Sequence, residues 1–199
     1  MEFTKLLKES ESLINWLDDH IGDLEIKAED RFVLAANCLE IAREHHKSII
    51  LLVSYAFYGS ALALIRSMFE AYVRGVWMHR CATDKDFELF KKNRLKKKIP
   101  KIVSDIEKAN KFETKIFSNI IAKSGDVMNS YTHSEYSQII RRNTATTIEP
   151  SYDEGDVLET INFSNAIGIL SALQTAILSG HEQLPMTIFN KAKVFMGEP

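Results

Sequence analysis

The chain has 199 residues, and its 25 Lys and Arg against 27 Asp and Glu give a net charge of −2, with none of the global basic excess that a dedicated nucleic-acid coat requires. That length supports one domain with a sizeable hydrophobic core. Its two cysteines, Cys38 and Cys81, lie far apart with no CxxC, which excludes a disulfide framework and fits a reducing cytoplasm.

The first stretch, MEFTKLLKESES, lacks the apolar region of a signal peptide. Leu6, Leu7, Leu13, Ile14, Trp16 and Leu17 recur at helical spacing and predict a helix over 4–20, ended by Gly22 and an acidic linker. A long helix is predicted from Glu29 to Phe57. Tyr58-Gly59-Ser60 reads as a turn, with Ser60 capping a second helix that runs to Arg80. Ser48 to Ile65 carries no formal charge and is about as long as the shortest membrane span. Gly59, the serines and the charges of Arg66, Glu70 and Arg74 make two buried core helices the better reading, with no membrane partner.

Thr83 is placed to cap a short helix with Asp84 and Asp86 in its first turn. Pro100 opens a further helix. The stretch 101–122 is amphipathic, with a break near Phe112, and Ser124-Gly125 punctuates again. Residues 126–142 read as two short helical turns around His133, and 143–155 as a loop or lid. A long helix from Asp156 to Ser179 ends at Gly180, and Pro185 begins a last helix to Met196. No strand is expected. The prediction is an all-α, single-domain bundle of about six to eight helices: a helix and linker over 1–28, a central bundle with a polar site over 29–142, the loop 143–155, and carboxy-terminal helices over 156–199.

Within Ser48–Arg80, Arg66, Glu70 and Arg74 follow at i, i+4 and i+8, on one helix face where successive pairs can bond. Large apolar residues surround them, so the row must pair or find water. It reads either as a ladder tying two helices together or as a polar pocket with Arg66 or Arg74 facing an anion.

Many chemistries are absent. There is no GxGxxG, Walker A or GxSxG, and no Glu-x-x-His for a di-iron bundle; His181-Glu182 begins an HExxH that Pro185 breaks. His45 and His46 point about 100° apart on a helix and read as surface histidines. No metal or other cofactor is expected. The basic run Lys91, Lys92, Arg94, Lys96, Lys97, Lys98 and Lys101 is either a solvated face or a phosphate-tracking patch, without interleaved aromatics for base stacking. His133 lies in Tyr131-Thr132-His133, before Tyr136, Arg141 and Arg142. An imidazole near guanidinium groups can do acid–base work on a phosphodiester while arginine stabilises the developing charge. The plain alternative is a histidine that caps a helix or satisfies a buried hydrogen bond.

ALALIRSMFEAYVRGVWM, followed some fifty residues later by MNSYTHSEYSQIIRR, resembles a group of bacterial helical proteins of unknown function. These are distantly similar to the HEPN superfamily (higher eukaryotes and prokaryotes nucleotide-binding). The resemblance spans roughly 30–180. It implies a helical bundle, often a homodimer, linked to toxin–antitoxin or anti-phage systems whose active members are metal-independent RNases. Their Arg-x4–6-His hallmark is matched by Arg74 and His79. In an uninterrupted helix those two lie about 140° apart, so the expected catalytic pair is Arg66 or Arg74 with His133 across helices.

The resulting expectation is a HEPN-like toxin or defence effector acting on RNA. His133 is the acid/base, Arg66 and Arg74 hold the scissile phosphate and Glu70 holds the arginines. Tyr131, Arg141, Arg142, Lys96 and Lys97 bind substrate. The expected partners are a second copy of the chain, RNA, and a cognate antitoxin or other protein. The alternative is a non-catalytic regulatory or interaction bundle.

Overall fold

The structure is a computed structural model that describes residues 2–109, 115–133, 135–144 and 146–197. Its described residues form α1 (Glu2–Ile21), α2 (Asp30–Ser54), α3 (Tyr58–Arg80), α4 (Asp84–Lys91), α5 (Ile99–Ala109), α6 (Ile116–Thr132), α7 (Tyr136–Ile139), a 3-10 turn (Ile140–Arg142), α8 (Glu154–Ser179) and α9 (Leu184–Phe195), with no strand. The all-α fold therefore stands. The predicted break near Phe112 lies outside the described residues.

Three local predictions are corrected. The turn between the two core helices falls at Tyr55–Phe57, not at Gly59: Ala56 takes the left-handed conformation (φ 59°), and α3 starts at Tyr58. Gly59 instead lies in the first turn of α3, where its missing side chain makes room for the Arg142 guanidinium and the Tyr152 hydroxyl. Ser124 and Gly125 do not break the chain, because α6 runs through them to Thr132; a glycine in a helix interior costs only about 1 kcal/mol, less than burying Met128 and Tyr131 on this helix returns.

Two caps behave as read and one does not: Ser60 caps nothing, because α3 starts at Tyr58 with Phe57 in the cap position and no side-chain cap bond. Thr83 and Asp86 form a reciprocal capping box, with the Thr83 hydroxyl accepting from the Asp86 amide at 3.2 Å and the Asp86 carboxylate accepting from the Thr83 amide at 3.3 Å. Gly180 ends α8 at φ 73°.

The α2–α3 hairpin is the centre of the fold, and α8 packs across both its helices. α5 and α6 cover α3 from the other side. A second, smaller core joins α1, α8 and α9. α8 is long and apolar enough by composition to cross a membrane, but it is mostly buried between its neighbours. Its polar residues are compatible with that burial because their hydroxyls bond backward along the helix: Ser171 to the Ile167 carbonyl at 2.8 Å, Thr175 to the Ser171 carbonyl at 2.9 Å.

His46 is a further correction. It is not a surface histidine but 2% exposed, seated where Gly168 of α8 has no side chain. Its Nε2 lies 2.8 Å from Oδ1 of Asn165, Nδ2 of Asn165 donates to Ser10 Oγ at 2.8 Å, and Ser10 donates to the Leu6 carbonyl at 2.8 Å. One buried polar chain thus fixes the register of α2, α8 and α1. Burial pulls His46 down to about 4, against the smaller opposing effect of the Asn165 bond. The unfolded imidazole titrates near its ordinary 6.5. Between the two values only the unfolded chain takes up the proton. The stabilisation is therefore complete above pH 6.5 and is lost as pH falls toward 4, by up to about 3 kcal/mol. Urea unfolding of wild type and His46→Gln across pH 4–7.5 should show a wild-type slope in this window that the variant lacks.

Candidate functional site: the seam between α3 and α6

α3 and α6 run antiparallel. Tyr72 of α3 meets Phe117 at the start of α6, with ring centroids 5.8 Å apart, and the Thr132 hydroxyl at its end reaches the Ala63 carbonyl at 3.5 Å. Glu107 of α5 sets where α6 begins. Buried to 8% exposure, it accepts from the Ser118 amide at 2.9 Å and from the Ser118 hydroxyl at 2.6 Å, capping the positive end of the helix.

This register brings the Arg66–Glu70 part of the polar row against α6. Arg66 and Glu70 share a groove of about 190 Å³ with Asp126 and Asn129. His133 continues that edge of α6, four residues beyond Asn129 and seven beyond Asp126. Its backbone amide caps α6 on the Asn129 carbonyl at 3.0 Å, while its ring is exposed and makes no hydrogen bond among the described residues. His133 is therefore both the predicted cap and a solvent-open imidazole one helical turn from the Arg66–Asn129 level.

Arg66 donates from Nε to Glu70 at 2.8 Å, which leaves its terminal nitrogens without a protein acceptor among the described residues. Arg74 stands 3.6 Å from Glu70, beyond good hydrogen-bond length. These side chains are one-quarter to one-third exposed: 33% for Arg66, 25% for Glu70 and 32% for Arg74. Ion pairs of this exposure contribute about 0–1 kcal/mol. Each of the buried Met68, Phe69, Val73 and Trp77 on the same helix contributes roughly 1.5–3 kcal/mol. Packing, not the charged row, holds α3 in place.

The two arginines open on different clefts. Eight residues separate them, about 12 Å along the helix. Arg74 lines a cleft of about 510 Å³ with Cys38, Asn93 and the half-buried His45, a histidine that sequence reasoning left on the surface. No periodicity signal marked it, because the helix-to-helix register that places it opposite Arg74 is not a local property. His79 faces elsewhere: its Nδ1 lies 2.9 Å from Gln174 Nε2 and its ring 5.4 Å from Phe32, and burial, then Arg80, lowers its titration range. α3 is uninterrupted through both residues, so Arg74 and His79 do not form a local pair.

The other predicted binding residues separate into two groups. Tyr131 is two residues from His133, about 200° around α6, and lines a different cleft with Arg141 and Asp156, which form an ion pair. Arg141 and Arg142 both come to Tyr152, at 5.9 and 6.0 Å from its ring, although a regular helix would send them to different sides; they sit in a 3-10 turn. In the basic run, Lys97 is engaged inside the fold. It pairs with Asp86 at 3.2 Å and Asp105 at 3.3 Å and lies 4.6 Å from the Trp77 ring. Burial lowers the lysine, but the two carboxylates outweigh that and raise it overall. Lys91, Lys92 and Lys101 pair with Asp30, Glu88 and Asp105. Arg94, Lys96 and Lys98 are exposed and make no ion pair among the described residues. No three His, Cys, Asp or Glu residues converge as metal ligands among the described residues.

Glu107→Ala should cost about 1–2 kcal/mol in urea unfolding, since it strips a charge-assisted cap and leaves the half-buried Ser118 donors without their acceptor. Glu107→Gln, which keeps one acceptor, should cost less than half as much.

No curated protein and no solved structure matches the chain. A family model does match, over residues 39–197, which include α3, α6 and the Arg141–Arg142 turn. The chain belongs to that family, DUF6988, a family of unknown function.

Proposed function

We propose that this protein is a HEPN-like effector that binds RNA along the seam between α3 and α6 and cleaves it without a metal ion. The reading is supported by the α3–α6 seam: Arg66, with unengaged terminal nitrogens, lines its groove beside Asn129, and His133, exposed and without a ring hydrogen bond among the described residues, lies one helical turn beyond Asn129 on α6. Metal-free cleavage of RNA can use the ribose 2′-hydroxyl as its internal nucleophile. His133 takes the 2′-hydroxyl proton as the 2′-oxygen bonds to phosphorus, and the 5′-oxygen bond breaks. The proton returns to the departing 5′-oxygen, leaving a 2′,3′-cyclic phosphate. Arg66 stabilises the charge that builds on the phosphoryl oxygens, and Glu70 holds its guanidinium in place through Nε. Arg74, Arg94 and Lys96 offer the strand further cationic contacts. A second copy of the chain fits this reading, with Leu51, Tyr55 and Phe57, exposed at the tip of the α2–α3 hairpin, as the apolar surface available to it.

A non-catalytic regulatory bundle is the second reading. Its specific support is the mutual pairing of Arg66, Glu70 and Arg74, which an interaction protein would need only as a ladder.

The test uses purified protein, chelator and a single-stranded RNA reporter. His133→Ala should lower cleavage by about 10²–10⁴-fold, and Arg66→Gln by about 10²–10³-fold, both with unchanged helicity and melting. A reporter with 2′-deoxyribose throughout should not be cut. Wild-type protein that leaves RNA intact, or a His133→Ala variant that cleaves normally, favours the regulatory bundle, as does an Arg66→Gln variant that unfolds.

A further inference from the structure

Beyond the seam, on another face of α6, lies a cleft of about 460 Å³ between α3, α6, α8 and the 3-10 turn. Its size is that of a small-molecule site. Leu62, Ile65, Val127, Met128 and Phe163 give it an apolar floor and walls. At one end stand Tyr131 and the Arg141–Asp156 pair, with the Arg141 guanidinium 5.7 Å from the Tyr131 ring. Tyr131 is 3% exposed, and its hydroxyl is buried with no hydrogen-bond partner. Among the described residues Ser130 Oγ and the Tyr152 hydroxyl share this state, and neither of those residues lines the cleft. A buried hydroxyl without an acceptor destabilises the chain that carries it.

The charges of the cleft cancel. Lys123 and Arg141 face Asp156 and Glu159, and Arg141 is already held by Asp156. The field therefore does not select a charged ligand. Selection falls to the apolar walls and to the buried, unbonded Tyr131 hydroxyl. Burial pushes the Tyr131 phenol above its ordinary range, Arg141 opposing, so the group stays protonated and can donate.

We infer that this cleft is a binding site for a compact, uncharged, largely apolar molecule carrying one carbonyl-type acceptor, which lodges between Tyr131 and the Arg141–Asp156 pair and accepts the Tyr131 hydrogen bond. The inference does not rest on RNA cleavage, and its test does not read it.

Benzophenone is a suitable probe: uncharged, aromatic, with a single carbonyl, and photoreactive toward C–H bonds. Irradiation of the full chain with increasing benzophenone should give saturable labelling on peptides that contain Val127, Met128 or Leu62. Diphenylmethane, which lacks the acceptor, should compete at least tenfold more weakly than unlabelled benzophenone, and the anionic 2-benzoylbenzoate no better than benzophenone. Tyr131→Phe should weaken benzophenone about tenfold while raising the melting temperature of the ligand-free protein, because it removes the unbonded hydroxyl. Ile65→Trp, which fills the cleft, should abolish saturable labelling. Labelling that is unsaturable or maps elsewhere would overturn the inference. So would equal competition by diphenylmethane, tighter competition by 2-benzoylbenzoate, or a Tyr131→Phe variant that binds as wild type or melts lower.

Discussion

α3 is packed by four other helices, and this single constraint organises the molecule. α2, α5, α6 and α8 all lie against it, and its apolar residues fill the gaps between them: Met68, Val73 and Met78 are fully buried, Trp77 nearly so. A helix covered on so many sides can keep charge only where two neighbours leave a seam. Arg66, Glu70 and Arg74 occupy such seams and retain a quarter to a third of their surface, which is enough water to hold charged groups at little cost. Polarity on α3 is thus a consequence of where its neighbours stop.

The neighbours stop where their own caps and turns place them. Glu107 fixes the start of α6, and the antiparallel register that follows sets Asn129 beside Arg66 rather than Arg74, with His133 one helical turn further along α6. The same helix turns Tyr131 to another side, where Arg141, itself beside Tyr152, meets it. One α6 therefore separates two environments: an open polar seam, and an apolar cleft with a sealed phenol. At the far side of the hairpin the buried chain from His46 through Asn165 to Ser10 joins α1, α2 and α8, away from both.

The helices were legible because hydrophobic periodicity and end signals agree in them: the Thr83–Asp86 box and the Gly180 cap stand where the residues predict. The hairpin turn was misplaced by three residues because Ala56, not a glycine, adopts the left-handed conformation. Gly59 looked like a turn residue, but its role is steric, to admit Arg142 and Tyr152 from about ninety residues away in sequence. The surface reading fails for His46 for the same reason, while His45 keeps part of its surface exposed. Adjacent in sequence, one enters the core against Gly168 and the other a cleft with Arg74, and only the packing of α2 against α8 and α3 distinguishes them. Of the residues predicted to act together, Arg66 and Glu70 do share one groove, a local i, i+4 relation that sequence displays. The company of Tyr131 with Arg141 and Asp156, and the neutralisation of Lys97 by Asp86 and Asp105, depend on contacts between elements.

The central claim is that Arg66 and His133 form one binding surface across the α3–α6 seam. It is tested most directly by NMR titration of the ¹⁵N-labelled protein with a short single-stranded RNA whose 2′-positions are methylated so that it cannot be cut. The account predicts that the Arg66 Nε–H and His133 ring signals shift together, with one dissociation constant that weakens as salt rises. RNA that binds while both signals stay fixed, or that fails to bind at low salt, would contradict it.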